Sequence, residues 1–264
     1  MNAYKTRLIL LTGDMFFAAL LTTALIIIVQ SHYQFSEELK ENIDKRRMSD
    51  MNPPRCSVRR CETSPHVCEK SQMRRCYSAL EIMTSTLGKN ILCDTKTDEG
   101  GWIFIQRRIA GDMDFVKNWA EYKQGFGSLS GDFWIGLDFI HRLTWQINHE
   151  LRIDLKFQRR SYYAKYSSFY IDSEANFYTL HVSGYSGDAG DGMDYHNNLR
   201  FRTIDRPTSN HCSRSYKAGW WFDSCYHAFL NGLWVENKTY DGIRWDPISL
   251  ENTLQSAEMK IRRK

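Results

Sequence analysis

The sequence predicts an α+β domain, strands first and functional loops after, behind an exported N-terminus. Three observations lead there. Short apolar or alternating runs of strand length recur between residues 102 and 182. The stretch 184–255 then loses periodicity and is rich in Gly, Asp, Asn, Ser and aromatic residues, a composition of binding loops. Seven cysteines, all outside the N-terminal apolar run, indicate a compartment in which disulfides persist.

The N-terminus sets that compartment. Lys5 and Arg7 precede an apolar run from Met15 to Val29, with Leu8 to Leu11 ahead of it and Asp14 between. Counted from Leu8, the run is long enough to span a bilayer. Counted from Met15, it has the length of a signal-peptide core, and Val29-Gln30-Ser31 offers a small-residue cleavage pattern. An Asp costs about 2.5–3.5 kcal/mol at the centre of a spanning helix and less near an end, so Asp14 does not exclude an anchor. Residues 1–31 are therefore a signal peptide or a type II membrane anchor. Glu37, Glu38 and Glu41 behind the run and the cations in front give one orientation for both, with the rest of the chain outside. The expected localisation is extracellular, secreted or single-pass.

Residues 32–75 read as a basic, cysteine-containing stalk. Phe35, Leu39 and Ile43 recur at helical spacing over two turns, too few for a coiled coil, and Asn52-Pro53-Pro54 ends the pattern. Lys45-Arg46-Arg47, Arg59-Arg60 and Arg74-Arg75 suit a solvated linker; dibasic cleavage sites or an anionic-surface contact are the sharper readings. The stretch from Cys56 to Cys76 has too few apolar residues for a core and must rely on cross-links. No cysteine spacing gives a paired C-x2-C zinc knuckle. The odd cysteine count leaves at least one free or paired with another polypeptide.

The globular domain is expected over 76–264. Gly100-Gly101 breaks the chain, and Trp102 to Gln106 reads as a buried strand. Phe133 to Leu137 follows a Gly-rich turn. Leu151 to Phe157 alternates apolar and charged residues, the pattern of a half-exposed strand. Tyr162 to Tyr166 and Tyr178 to Val182 continue the series. Hydrophobic content of 42% and aromatic content of 14% suit a packed body, and a net charge of +4 does not ask for nucleic acid. Asn237-Lys238-Thr239 is a glycosylation sequon, consistent with an exported surface loop. The eight histidines are scattered, and no Gly-x-Ser-x-Gly, His-Glu-x-x-His or phosphate loop appears, so the sequence predicts no enzyme.

One loop stands out. Cys212 and Cys225 bracket Tyr216, Gly219, Trp220, Trp221 and Phe222, the most aromatic turn of the sequence. Large rings presented on a short loop make a partly apolar cup that can hold a ligand.

The ordered set Cys93-Asp94-Thr95, Gly100-Gly101-Trp102 to Arg108, Tyr122 to Gly127, Phe133 to Leu137, Gly184-Tyr185-Ser186-Gly187, Gly219-Trp220-Trp221, Leu230-Asn231-Gly232 and Glu258 to Arg262 resembles the fibrinogen C-terminal domain. That domain is found in ficolins, tachylectins, angiopoietins and invertebrate fibrinogen-related lectins. The resemblance implies a central antiparallel sheet with a long, irregular, loop-rich ligand-binding region. It implies two disulfides, Cys212–Cys225 and one from Cys93 to an upstream cysteine, Cys76 or, second, Cys68. Cys56, Cys61 and Cys68 then remain for interchain bridges of a disulfide-linked homo-oligomer.

The resemblance also implies two sites. Lectin members bind acetyl groups in an apolar cage, with a donor for the carbonyl oxygen at the second loop cysteine after a peptide bond that is often cis; here that bond is Ser224–Cys225. Tyr216 and Tyr240 match pocket-wall tyrosines, and Trp245 lies near that wall. The family run Cys-His-x-Ser-Asn-Leu-Asn-Gly becomes Cys225-Tyr226-His227-Ala228-Phe229-Leu230-Asn231-Gly232. The histidine is displaced by one, so Tyr226 or His227 takes its place, and an asparagine has become Phe229. The second implied site is a calcium loop of the form Asp-x-Asp. Here Asp205 remains, but Pro207 stands where the second Asp would be and offers no side-chain oxygen, so a weakened or absent calcium site is expected. Asp188, Asp191 and Asp194 are read as turn residues. The expected partner is an acetylated glycan, in innate defence or adhesion; the alternative is a cell-surface protein bound as by angiopoietins or tenascins.

Overall fold

The protein divides into Met1–Pro53 and Pro54–Lys264. The computed structural model describes Gln30, the backbone of residues 80–84, and residues 88–235 and 240–264. The N-terminal apolar run, the helix expected around residues 35–43, the stalk cysteines, Cys76 and Asn237 lie outside the described residues.

The elements in order along the sequence are β1 (Leu80–Thr84), β2 (Asn90–Asp94), β3 (Trp102–Arg108), α1 (Trp119–Gln124), β4 (Phe126–Gly127), β5 (Phe133–Trp134), α2 (Leu137–Thr144), β6 (His149–Phe157), β7 (Arg160–Ile171), β8 (Leu180–Gly187), α3 (Cys212–Ser215), β9 (Ala228–Phe229), β10 (Arg244–Trp245) and β11 (Ser256–Arg263). The main sheet runs β1-β2-β3-β11-β6-β7-β8, with β5 and then β4 added beside β3, and its pairings are antiparallel. The expected strands are present, except that the one expected from Tyr178 starts at Leu180, Tyr178 having φ +48°: Trp102–Gln106 is buried in β3, and the alternation of Leu151, Ile153 and Leu155 buries one face of β6. The run from Phe133 is a strand for two residues only. Gly136 then adopts φ +111° and starts α2, whose apolar face, Leu137, Ile140 and Leu143, is buried.

Helix α1 begins at a capping box: Asn118 Oδ1 accepts from Glu121 N–H at 3.0 Å, and Glu121 Oε2 accepts from Asn118 N–H at 2.9 Å. It seats Tyr122 and Trp119 in an aromatic core. Trp134 stacks with Phe201 at 5.9 Å, and Phe201 meets Trp221 edge-on at 5.2 Å. Gly219 is required at this point, because a Cβ there would lie 2.6 Å from the Tyr122 ring and 2.8 Å from Phe201.

Charge holds the other face of the sheet. Lys260 on β11 is buried between Asp94 and Asp154, with Nζ 2.7 Å from each carboxylate. Burial pulls the Asp94 carboxyl upward, but Lys260, Thr97 and the Lys96 N–H outweigh it and hold the group down at about 2. Cys93 on β2 is in a disulfide, and the expected partner Cys76 lies outside the described residues.

Candidate functional site: an aromatic cup on the disulfide loop

The sheet carries the site through two buried side chains of β3. Gln106 Nε2 donates to the Leu230 carbonyl at 2.9 Å, and Arg108 donates to the Gly232 carbonyl at 2.6 Å while paired with Asp132 at 3.3 Å. Asn231 Nδ2 in turn donates to the Gly219 carbonyl at 2.9 Å. The segment after Cys225 is thereby fixed to the Trp220-Trp221 turn.

Cys212 and Cys225 are joined, thirteen positions apart, with Cα atoms 5.6 Å apart, and the Ser224–Cys225 peptide is cis. Beside the bridge the rings form a layered cluster. Phe229 is fully buried and lies 5.2 Å from Phe222 and 6.4 Å from Trp220. Tyr226, half-buried, stacks on Phe229 at 5.2 Å and 26°, and Tyr216, also half-buried, meets Tyr226 edge-on at 4.9 Å. Tyr226 therefore covers the buried Phe229, and the half-buried Tyr216 and Tyr226 rings form the outer layer of the cluster. The Tyr226 hydroxyl donates to the Tyr240 carbonyl, and burial pushes that hydroxyl's pKa up, so it stays a neutral donor. Among the described residues, nothing accepts from the backbone N–H of Cys225 or Tyr226.

The other expected residues separate by depth. Ser224 is exposed, and its N–H donates to the Tyr195 hydroxyl at 2.9 Å. His227 is exposed and stacks on Tyr195 at 4.2 Å and 22°. Tyr240 is 67% exposed, with the Arg244 guanidinium 5.4 Å from its ring. Trp245 lies behind the wall rather than in it. Its residue pairs with Ala228, its ring is fully buried, and Nε1 donates to the Ala189 and Gly190 carbonyls at 3.0 and 3.2 Å. It cannot touch a ligand in the cup without leaving the core.

Two residues of the site were missed by sequence reasoning, Tyr195 and His196. His196 is fully buried, and Nδ1 lies 2.7 Å from the Trp221 carbonyl, which has only lone pairs, so Nδ1 carries the proton. Nε2 then accepts from the N–H of His227 at 3.2 Å and of Ala228 at 3.0 Å. Burial drives its pKa down to about 4. The neutral imidazole is a clamp between the Trp221 turn and the wall segment.

Asp205 does not present a calcium cage. Its Oδ1 accepts from Trp119 N–H at 2.9 Å and from the Thr203 hydroxyl at 2.6 Å, and Arg206 lies 4.4 Å over the Trp119 ring. Among the described residues no group of three His, Cys, Asp or Glu side chains is gathered for a metal. With Oδ1 already an acceptor and Pro207 lacking a side-chain oxygen, this loop offers a cation one carboxylate where two are usual. Asp191 is a turn residue, as expected: Oδ1 accepts from the Tyr166 hydroxyl at 2.7 Å and from the N–H of Met193 and Asp194.

A sheet that holds up an irregular, disulfide-closed, ring-lined loop defines the class: a fibrinogen-like globe. Residues 59–264 match the family model of the C-terminal globular domain of the fibrinogen beta and gamma chains, and the protein belongs to this family. Techylectin-5A of Tachypleus tridentatus is 44% identical over 184 residues, which cover 66% of this sequence and 63% of that protein. Human tenascin-R is 41% identical over 158 residues, 59% of this sequence but 12% of the relative. Among solved structures, the fibrinogen-like globe domain of human ANGPTL2 superposes with a TM-score of 0.66 at 33% identity, over 73% of this sequence and 96% of that one. The family match starts upstream of the domain boundary expected at residue 76. Among the described residues no helix is long and apolar enough to cross a membrane.

Proposed function

We propose that the protein is an extracellular recognition module, not an enzyme, that binds acetylated glycans against the ring surface that Tyr216 and Tyr226 form beside the Cys212–Cys225 bridge. The observation that carries this reading is the coincidence of an apolar cage with free donors. Two half-buried tyrosine rings form an apolar surface over Phe229, and the adjoining Cys225 and Tyr226 N–H groups have no acceptor among the described residues. A methyl group fits rings and a carbonyl oxygen needs an N–H, so an N-acetyl group satisfies both. The similarity to a relative named as a lectin supports the same ligand class. Secretion, or anchorage through residues 1–31, and disulfide-linked oligomers through the stalk cysteines belong to this proposal.

A protein partner is the second reading. Tyr240 at 67% exposure and Leu250 at 68% put large apolar side chains on the surface, and tenascin-R, at 41% identity, is nearly as similar as the lectin relative at 44%. A glycan array with free N-acetylglucosamine as competitor separates the two. Binding is expected to be competed, and to fall up to roughly tenfold in Tyr216→Ala, the worth of one aromatic contact. Tyr226→Phe keeps the ring and retains most binding. Array binding that free N-acetyl sugar leaves unchanged would overturn the glycan reading.

A further inference from the structure

Away from the cup, the segment 200–202 alternates like a strand. Phe201 points into the aromatic core and is fully buried, so Arg200 and Arg202 project to the opposite side. The segment is rigid: Arg202 N–H donates to the Trp220 carbonyl at 2.9 Å, Trp220 N–H returns the bond at 3.0 Å, and Phe201 N–H donates to the Phe177 carbonyl at 2.9 Å. Both guanidinium groups lie over one half-buried ring. Arg200 is 5.2 Å and Arg202 5.4 Å from the centroid of Phe177.

Two cations over one ring repel each other, and neither has a carboxylate partner among the described residues. The neighbouring acid is already taken. Glu174 accepts from Lys123 and from Trp119 Nε1 at 2.7 Å, and it stands 4.0 Å from Arg206. Asp138 lies 3.9 Å from the same Lys123, and Asp205 is occupied by Trp119 and Thr203. Arg206 continues the row over Trp119, whose ring is 6.1 Å from Phe177. Three guanidinium groups thus follow one another over two adjoining rings, and the first two lack counter-charges.

We infer that Arg200 and Arg202, with Arg206 next in line, form a second binding site for oxyanions spaced along a polymer, and that its ligand is a sulfated polysaccharide. Guanidinium is the side chain suited to it: planar, permanently charged, weakly hydrated and able to grip two oxygens of one sulfate or carboxylate. Attraction to the Phe177 ring keeps both cations together on this side of the segment. A row of cations, rather than one enclosed cation, suits repeated anions better than a single small ion. The site is independent of the acetyl cup.

Surface plasmon resonance of the full-length protein on immobilised heparin tests it, with heparin, fully desulfated N-acetylated heparin and hyaluronan as competitors. Heparin binding is expected, weakening as sodium chloride rises and competed by heparin far better than by the two carboxylate-only polymers. Arg200→Gln/Arg202→Gln should lower affinity at least roughly tenfold, the loss of two charge-assisted contacts, with unchanged thermal stability and unchanged N-acetylglucosamine binding. Arg200→Lys/Arg202→Lys should recover part of the affinity through charge alone. The Lys45-Arg46-Arg47 run is neutralised in a separate variant, because a basic stalk would bind the same polymer. No heparin binding, binding lost only in the stalk variant, or full binding by the double glutamine variant overturns the site. Equal competition by desulfated heparin overturns the assignment to sulfate.

Discussion

Acidification should loosen this domain through one side chain, His196. The ring is buried and neutral, with Nε2 facing two N–H groups, so a proton there would point at His227 and Ala228 and break both bonds. Its folded pKa of about 4 lies below the ordinary 6.5. The unfolded protein therefore binds more protons between those values, and stability must rise with pH across that window. The contribution is fully present above about pH 6.5 and is lost as pH falls toward 4. The full difference of about 2.5 units corresponds to about 3 kcal/mol, of which about 2 kcal/mol is lost by pH 5. The assay is chemical denaturation of the wild-type protein and His196→Gln at pH 7.5 and pH 5. His149, also buried with a lowered pKa, titrates in both proteins and cancels in the comparison. The carboxylates held low, such as Asp94 and Glu150, lose their contribution only below their ordinary range near 4. Wild type is expected to lose about 2 kcal/mol more than the variant over this interval. Equal losses would refute the buried, neutral clamp.

Two further predictions concern the charged sheet face and the metal. Lys260→Met strands Asp94 without its partner and should cost about 3–5 kcal/mol, partly recovered in Lys260→Met/Asp94→Asn; a single-variant loss below about 1 kcal/mol would show that the pair is dispensable. A calcium ion at a hundredfold excess over its Kd would add about 2.7 kcal/mol of stability, so its removal would lower Tm by several degrees. With Asp205 Oδ1 accepting from Trp119 and Thr203 and no carboxylate at Pro207, chelator is expected to leave the melting curve unmoved, and a drop of several degrees would overturn that expectation.

The parts of the molecule legible in the sequence are those governed by local pattern. Leu151, Ile153 and Leu155 alternate with charges because one face of β6 is buried, and that period is visible in any strand with one wet face. The aromatic loop between Cys212 and Cys225 stood out by its rings, and Pro207 by the side-chain oxygen it does not offer. Pairings between distant segments were not legible. Nothing in the run Ser256–Arg263 says that it inserts between β3 and β6, because its partners lie about a hundred residues or more upstream. His196 looked like one of eight scattered histidines until the fold set it between Trp221 and Ala228. Trp245 and Phe229 both read as candidates to line or block the cup. Depth decided both: Phe229 is buried under Tyr226, and Trp245 is buried with Nε1 bound to the Ala189 carbonyl. Residue types and spacing determined the family. Which rings stay half-exposed, which polar groups are hydrogen-bonded and which cations among the described residues lack a carboxylate partner were decided by tertiary packing, since burial and hydrogen-bond satisfaction are properties of neighbours that the linear sequence does not place side by side.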